Sequence, residues 1–266
     1  VEKDSLVNIG GNVENALAGN YKIDVQAVLR EAWLHTQQSR KPINLGIAFC
    51  FFLTGFIMYA GASYLGINLV SSAEQDLAPL SLINLVATVL VAPFIAGVEM
   101  MGILKVIGVQ TEPRLVFAFL RRSSWVALVT LISSLLISLG QILILPAIFF
   151  FVSLSLVVPL VIEKRVSPMQ AIVLSIKALR FQWFKIFALY LVLSITLLLL
   201  SLPTIVLTNA GLGIVGLAVF ALGLSYLIPM YYYVKGILYR EIFGMKIQQV
   251  NADALNSHGR DDIFSA

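Results

Sequence analysis

Six apolar runs alternate with short segments that hold nearly all of the charge, and this alternation predicts the architecture. The runs cover residues 43–67, 80–104, 123–140, 143–162, 184–207 and 213–238. Each is long enough to cross a hydrocarbon core of roughly 30 Å, which takes about 20 residues of helix. The stretch from Trp125 to Ile162 would measure about 57 Å as one helix at 1.5 Å per residue. It must therefore fold back, and Gly140-Gln141 or Pro146 supplies the turn. The expected fold is all-α: a polytopic membrane protein with six transmembrane helices.

Between the runs the pattern changes to helical amphipathicity. Val25, Val28, Leu29, Ala32 and Trp33 recur at helical spacing, with Arg30, Glu31 and Gln37 elsewhere on the wheel, which predicts an interfacial helix near 24–38 capped by Asp24. Trp33 suits the headgroup level. Two further interfacial helices are predicted near 113–122 and 168–182, each opened by proline behind a polar residue, Glu112-Pro113 and Ser167-Pro168. Residues 1–20 and 247–266 are polar and lack periodicity, and they read as mobile tails around a membrane domain at 21–246.

Composition agrees with lipid as the solvent, since 59% of residues are hydrophobic and 12% charged. The distribution of charge gives the orientation. All 18 Lys and Arg residues fall before the first run, in the second and fourth connections, or from the end of the sixth run onward. By the positive-inside rule these segments, and both termini, are cytoplasmic in a bacterial inner membrane. The net charge of +4 then fits anionic headgroups and gives no reason to expect nucleic acid. No cleavable signal sequence stands in the polar first forty residues, so the first span is expected to act as its own signal.

Prolines suggest internal symmetry. Pro93, Pro159 and Pro229 each lie in the cytoplasmic half of an even-numbered span, and Gly102-Ile103-Leu104 and Gly236-Ile237-Leu238 follow Pro93 and Pro229 at similar offsets. A threefold repeat is expected, with the third unit split across the chain ends and a pseudo-threefold bundle as its product. Chance remains the competing account, because proline is common in membrane helices.

Candidate chemistry is sparse. Glu99 is the one acid expected inside a span, where a carboxylate costs about 2.5–3.5 kcal/mol on insertion scales. It is either a proton or cation site assisted by carbonyls freed near Pro93, or an interfacial residue paired with a neighbouring base. Tyr231, Tyr232 and Tyr233 form either an interfacial belt or, in part, the lining of a crevice beside Glu99 that receives a lipid or amphipathic molecule. Arg121, Arg122, Lys164, Arg165, Lys177, Arg180 and Lys185 are the expected contacts to anionic lipid. Cys50 is the sole cysteine and reads as a packing residue. His35 and His258 form no metal motif, and Ser133, Ser134, Ser138, Ser194 and Ser201 have no His or Lys in their own spans to act as base. No catalytic, cofactor or metal site is expected.

Asp24 to Trp33, Pro159 to Glu163-Lys164, and Ser167-Pro168-Met169-Gln170-Ala171 leading into Ser175-Ile176-Lys177-Ala178 together resemble a known pattern. It is that of bacterial six-span inner-membrane proteins of unknown function, related to the membrane domain attached to some glycerophosphodiester phosphodiesterases. The resemblance runs over about residues 22–245 and is most specific at 163–185. The soluble phosphodiesterase barrel has no counterpart in this sequence, so the resemblance implies a membrane module without that activity. The leading expectation is a non-enzymatic scaffold, accessory subunit or lipid-organising or lipid-sensing protein, with membrane lipids and a membrane-protein partner as its contacts. The alternative is a small transporter or channel using Pro93 and Glu99, and an intramembrane enzyme comes third.

Overall fold

The computed structural model describes residues 6–67, 77–120 and 123–248. In chain order these form β1 (Leu6–Ile9), α1 (Val13–Ala18), α2 (Val25–Ser39), α3 (Lys41–Tyr64), α4 (Leu77–Val106), a 3-10 turn (Pro113–Phe117), α5 (Ser123–Gly140), α6 (Ile144–Ser153), α7 (Val157–Glu163), α8 (Pro168–Leu179), a second 3-10 turn (Arg180–Gln182), α9 (Trp183–Asn209), α10 (Gly213–Phe243) and β2 (Met245–Gln248). Six helical stretches are long and apolar enough to cross a membrane. The protein is an all-α, multi-pass integral membrane protein, and among the described residues its one sheet is a two-stranded ribbon.

Large apolar side chains lie open over much of the surface: Phe51 and Phe52 are about three-quarters exposed and Ile214 is 86% exposed. Such a surface is untenable in water and ordinary in lipid. Burial instead concentrates at the end of the bundle where the basic connections and the β1–β2 ribbon meet, here called the basic face. On α10, Gly216 is the one buried residue before Pro229, whereas Tyr232 to Tyr239 are buried without a break. Both α4 and α10, at 30 and 31 residues, run to about 45 Å. That exceeds the hydrocarbon core, and the surplus lies in the packed basic end.

Span four departs from the single helix expected over 143–162. It breaks at Leu154–Leu156 into α6 and α7. Ser155 and Val157 turn to 3-10-type bonds, on Val152 and Leu154, and Ser175 of α8 donates to the Ser153 carbonyl at 2.6 Å. Pro159 therefore sits in the first turn of a new helix, where its missing N–H costs no intrahelical bond. The reversal before it is made by Gln141–Leu143, after Gly140 has closed α5, and Pro146 belongs to the first turn of α6.

Two other expectations need correction. Residues 1–20 are not all tail: Leu6–Ile9 pairs antiparallel with Met245–Gln248, and Val13–Ala18 is a helix capped by the Asn12 side chain and ended by left-handed Gly19. The same pairing takes Ile247 and Gln248 out of the expected second tail, whose remainder lies outside the described residues. This strap is held by specific contacts. Gly11 donates to the Arg240 carbonyl, the Tyr21 hydroxyl donates to the Ala178 carbonyl at 2.7 Å, and the Gln182 side chain bonds to both Ile23 and Tyr21. Burial pushes the Tyr21 phenol up to about 12, so it remains a donor across the physiological range.

The described part of the interfacial segment expected over 113–122 forms no α-helix: a five-residue 3-10 turn, Pro113–Phe117, is followed by a turn and a return to 3-10 at Leu120. Pro113 starts it, while Arg121 and Arg122 lie outside the described residues. By contrast α8 follows its sequence signal closely: Ser167 and Gln170 form a complete capping box around Pro168.

Candidate functional site

Two proline-bearing helices, α4 and α10, cross at glycine. A Cβ on Gly102 would lie 2.6 Å from the Tyr232 carbonyl oxygen, and one on Gly236 would lie 2.8 Å from the Gly102 carbonyl oxygen. Nothing larger than hydrogen fits between these backbones. Pro93 and Pro229 each stand six residues before the polar residue that the crossing brings into contact, Glu99 on α4 and Lys235 on α10. The two form an ion pair in which their side chains are 3% and 10% exposed. Glu99 therefore meets a base from a distant span, 136 positions along the chain.

Aromatic hydroxyls extend from this pair. The Lys235 ammonium lies 5.7 Å from the centre of the Tyr231 ring, within cation–π range. Tyr231 in turn neighbours Tyr190 of α9, with ring centres 5.9 Å apart, and Tyr232 at 5.3 Å. Successive residues on a helix point about 100° apart, so the three consecutive tyrosines cannot act together. Tyr231 and Tyr232 line a cavity, while Tyr233 turns to the other side, donates to the Ser39 carbonyl and lies 5.5 Å from the His35 ring.

That cavity has a volume of about 340 Å³ and lies among α3, α6, α9 and α10. Its body is apolar, from Ile47 through Leu197 to Leu224, and its hydroxyls come from Tyr190, Ser194, Tyr231 and Tyr232. Tyr190 is 3% exposed, and its hydroxyl makes no hydrogen bond of normal geometry, although Ser155 stands near it. Tyr231 and Tyr232 bring further hydroxyls to the same lining, and Ser194 lies at its exposed edge. By contrast, several other hydroxyls in these spans bond back to their own helix, among them Thr54, Thr88, Thr196 and Ser201. A second cavity of similar volume lies among α3, α4, α5 and α7, lined by Thr54, Asn84, Thr88, Thr130 and Val158.

The expected headgroup contacts divide. Arg165, Lys177, Arg180 and Lys185 are exposed, and Arg165 holds a left-handed backbone with φ 54°. Lys164 is engaged internally instead: it bonds to Glu163 and to the Gly244 carbonyl at 3.0 Å, and Glu163 accepts from the Tyr239 hydroxyl at 2.8 Å. This cluster ties the end of span four to the end of span six.

A third polar cluster has no signal in the sequence beyond the spacing of Glu31 and His35. Arg240 of α10 grips Glu31 of α2 through both guanidinium nitrogens, at 2.6 and 3.0 Å, while also meeting Glu241. His35 lies one turn further along, 3.5 Å from Glu31. The expected polar side of α2 thus faces protein in part, and Trp33, 42% exposed, stacks on Tyr226 at 6.0 Å. The hydrogen bond from Arg240 holds the Glu31 carboxyl below its usual range. Burial holds the His35 imidazole below its ordinary value; Glu31 opposes this, and nearby Lys105 and Arg240 add to it.

Both shifts have the same sign of linkage to pH. His35 takes up a proton more readily when α2 is released, so docking weakens as pH falls through about 6.5, its ordinary value. Glu31 adds a further loss as pH falls through about 4.5 toward its lowered value. Once intrinsic exchange rates are divided out, the protection of α2 amides is expected to fall between pH 7.5 and 5.5 while that of α9 amides stays constant. Replacing His35 by Gln should remove the upper part of the effect; an unchanged profile would show that His35 is not responsible.

No family model matches the chain, and no match is found among curated proteins or solved structures, so the site rests on its own geometry.

Proposed function

We propose that the protein is a non-enzymatic lipid-binding module of a bacterial inner membrane, with its basic face in the cytoplasm. Its family on this reading is that of the six-span membrane domains related to those of some glycerophosphodiester phosphodiesterases. The observation that carries the reading is the cavity at Tyr190, Tyr231 and Tyr232: an apolar body beside three phenols, of which the buried Tyr190 hydroxyl has no partner of normal geometry among the described residues. An acyl chain fills the first and an ester or headgroup oxygen satisfies the second. Exposed Arg165, Lys177, Arg180 and Lys185 supply attraction for anionic headgroups in the same leaflet.

Native mass spectrometry of protein released gently from its own membrane tests this. A lipid retained at one per protein, and lost when Leu224→Trp fills the cavity, is the expected result. Equal retention by the variant would remove the cavity as the site.

A second reading is a small transporter. Its specific support is the buried Glu99–Lys235 pair between two proline-bearing spans, an arrangement that can part to admit a charged solute. It requires flux in reconstituted vesicles that Glu99→Gln abolishes. Flux unchanged in the variant would exclude Glu99 as the carrier.

A further inference from the structure

The cavity of the proposed lipid site has a neighbour. A smaller cavity of about 250 Å³ lies among α5, α6 and α9, lined by Ile137, Ile148, Phe187 and Leu191. Phe151, Tyr190 and Ser194 line both. The two spaces therefore adjoin across one narrow wall, in which the Phe151 and Tyr190 rings meet edge to face with centres 5.5 Å apart.

The chemistry of that wall is unlike that of the lobes. Each lobe is mainly apolar, whereas the shared residues bring two hydroxyls, from Tyr190 and from Ser194 one turn along α9. Tyr190 is almost fully buried and its hydroxyl makes no hydrogen bond of normal geometry among the described residues, while Ser194 presents its hydroxyl at the exposed edge of the wall. A buried hydroxyl left without a partner costs of order 1–3 kcal/mol, so a ligand atom that accepts a hydrogen bond there is favoured. The sequence of features is thus chain, acceptor, chain, with the acceptor at the fork.

We propose that the site takes a two-chain glycerolipid, with one acyl chain in each lobe and its ester carbonyls accepting from Tyr190 and Ser194. This inference rests on the lipid-binding reading above and adds the class of lipid. Ester carbonyls suit the fork because they accept hydrogen bonds and carry no charge into the bilayer. A single-chain lipid fills one lobe and leaves the other to be packed by solvent lipid. The ring wall explains why the chains separate at this point rather than lying side by side.

The test compares a diacyl phospholipid with its lysophospholipid of the same headgroup, titrated onto delipidated protein and counted by native mass spectrometry. Wild type is expected to hold one diacyl lipid with about a tenfold or greater preference over the single-chain form, the scale of shape discrimination in apolar pockets. Leu191→Trp, which fills the smaller lobe from a position 43% exposed, should abolish the preference while single-chain binding persists. Ile148→Phe, a smaller filling of the same lobe, guards against loss of fold in the first variant.

Equal binding of the two lipids by wild type, or a preference unaltered in both variants, overturns the two-chain assignment and leaves the lipid site standing. Failure of wild type to hold either lipid more tightly than Leu224→Trp does would defeat the lipid-binding reading itself, and the two-chain assignment with it.

Discussion

Lys235→Met, in a protein that keeps Glu99, is expected to lower stability by about 3–5 kcal/mol, the usual cost of leaving a buried charge without its counter-ion. Glu99 is 2% exposed, and its carboxylate has Lys235 as its ion-pair partner among the described residues. Removing both charges together should recover most of the loss, because an apolar pair of similar volume no longer carries the desolvation cost of the ions. Unfolding of the detergent-solubilised single variants and of Glu99→Leu with Lys235→Met gives the comparison. Strongly non-additive losses identify a coupled pair. If the two single variants were as stable as wild type, both charges would have a route to water, and the crossing of α4 and α10 would be looser than its geometry indicates.

The second large effect concerns the crossing itself. Gly102→Ala places a methyl group 2.6 Å from the Tyr232 carbonyl oxygen, and backbone cannot yield as a flexible side chain does. Overpacking of this kind costs about 1–3 kcal/mol. Here it also pushes Glu99 and Lys235 apart, so the loss should lie at or above the top of that range. Gly236→Ala acts on the same contact, and the double variant should cost less than the two singles together, since helices already parted meet the second methyl group in open space. Gly55→Ala is the control: no atom lies within 4 Å of the added carbon. There the change should be neutral or stabilising by up to about 1 kcal/mol through helix propensity. Equal destabilisation at positions 55 and 102 would mean that the crossing is not the cause.

The spans were readable because period and length in lipid leave few alternatives. A run such as Phe184 to Leu207 must be helix if it enters the bilayer, and α9 duly covers Trp183–Asn209. Capping chemistry was equally legible, as Asp24 and Ser167 show by accepting from the backbone of the first turns they precede. The break in span four was not, because it depends on Ser175 of another helix taking the Ser153 carbonyl. Nor was the strap over residues 6–24, whose order comes from Arg240, Ala178 and Gln182, far along the chain.

The candidate site shows the same division. Glu99 and the tyrosines stood out by residue type and depth, but nothing local said which base would meet Glu99 or which tyrosine would turn away. Lys235 passed as one charge among those marking the end of a span, although its side chain is 90% buried. Tyr190 carried no signal, since a lone tyrosine in an apolar run looks like packing, and Ser194 stood out only as one of several serines without a base in its span. Only the approach of α6 and α10 makes them the wall of a cavity.

The ribbon between Leu6–Ile9 and Met245–Gln248 has a consequence for how the protein is made. β1 and Gly11 wait long for their seat, because Arg240 and β2 are translated more than two hundred positions after Gly11. At about 5–20 residues per second, that is a wait on the order of tens of seconds. During it, β1 stays unpaired and Glu99 stays without Lys235, whereas Tyr21 and Ile23 wait only for Ala178 and Gln182. A chain that stops short of α10 is thus marked twice, by an unpaired β1 and an unmatched charge, and either is a mark for a quality-control protease to read.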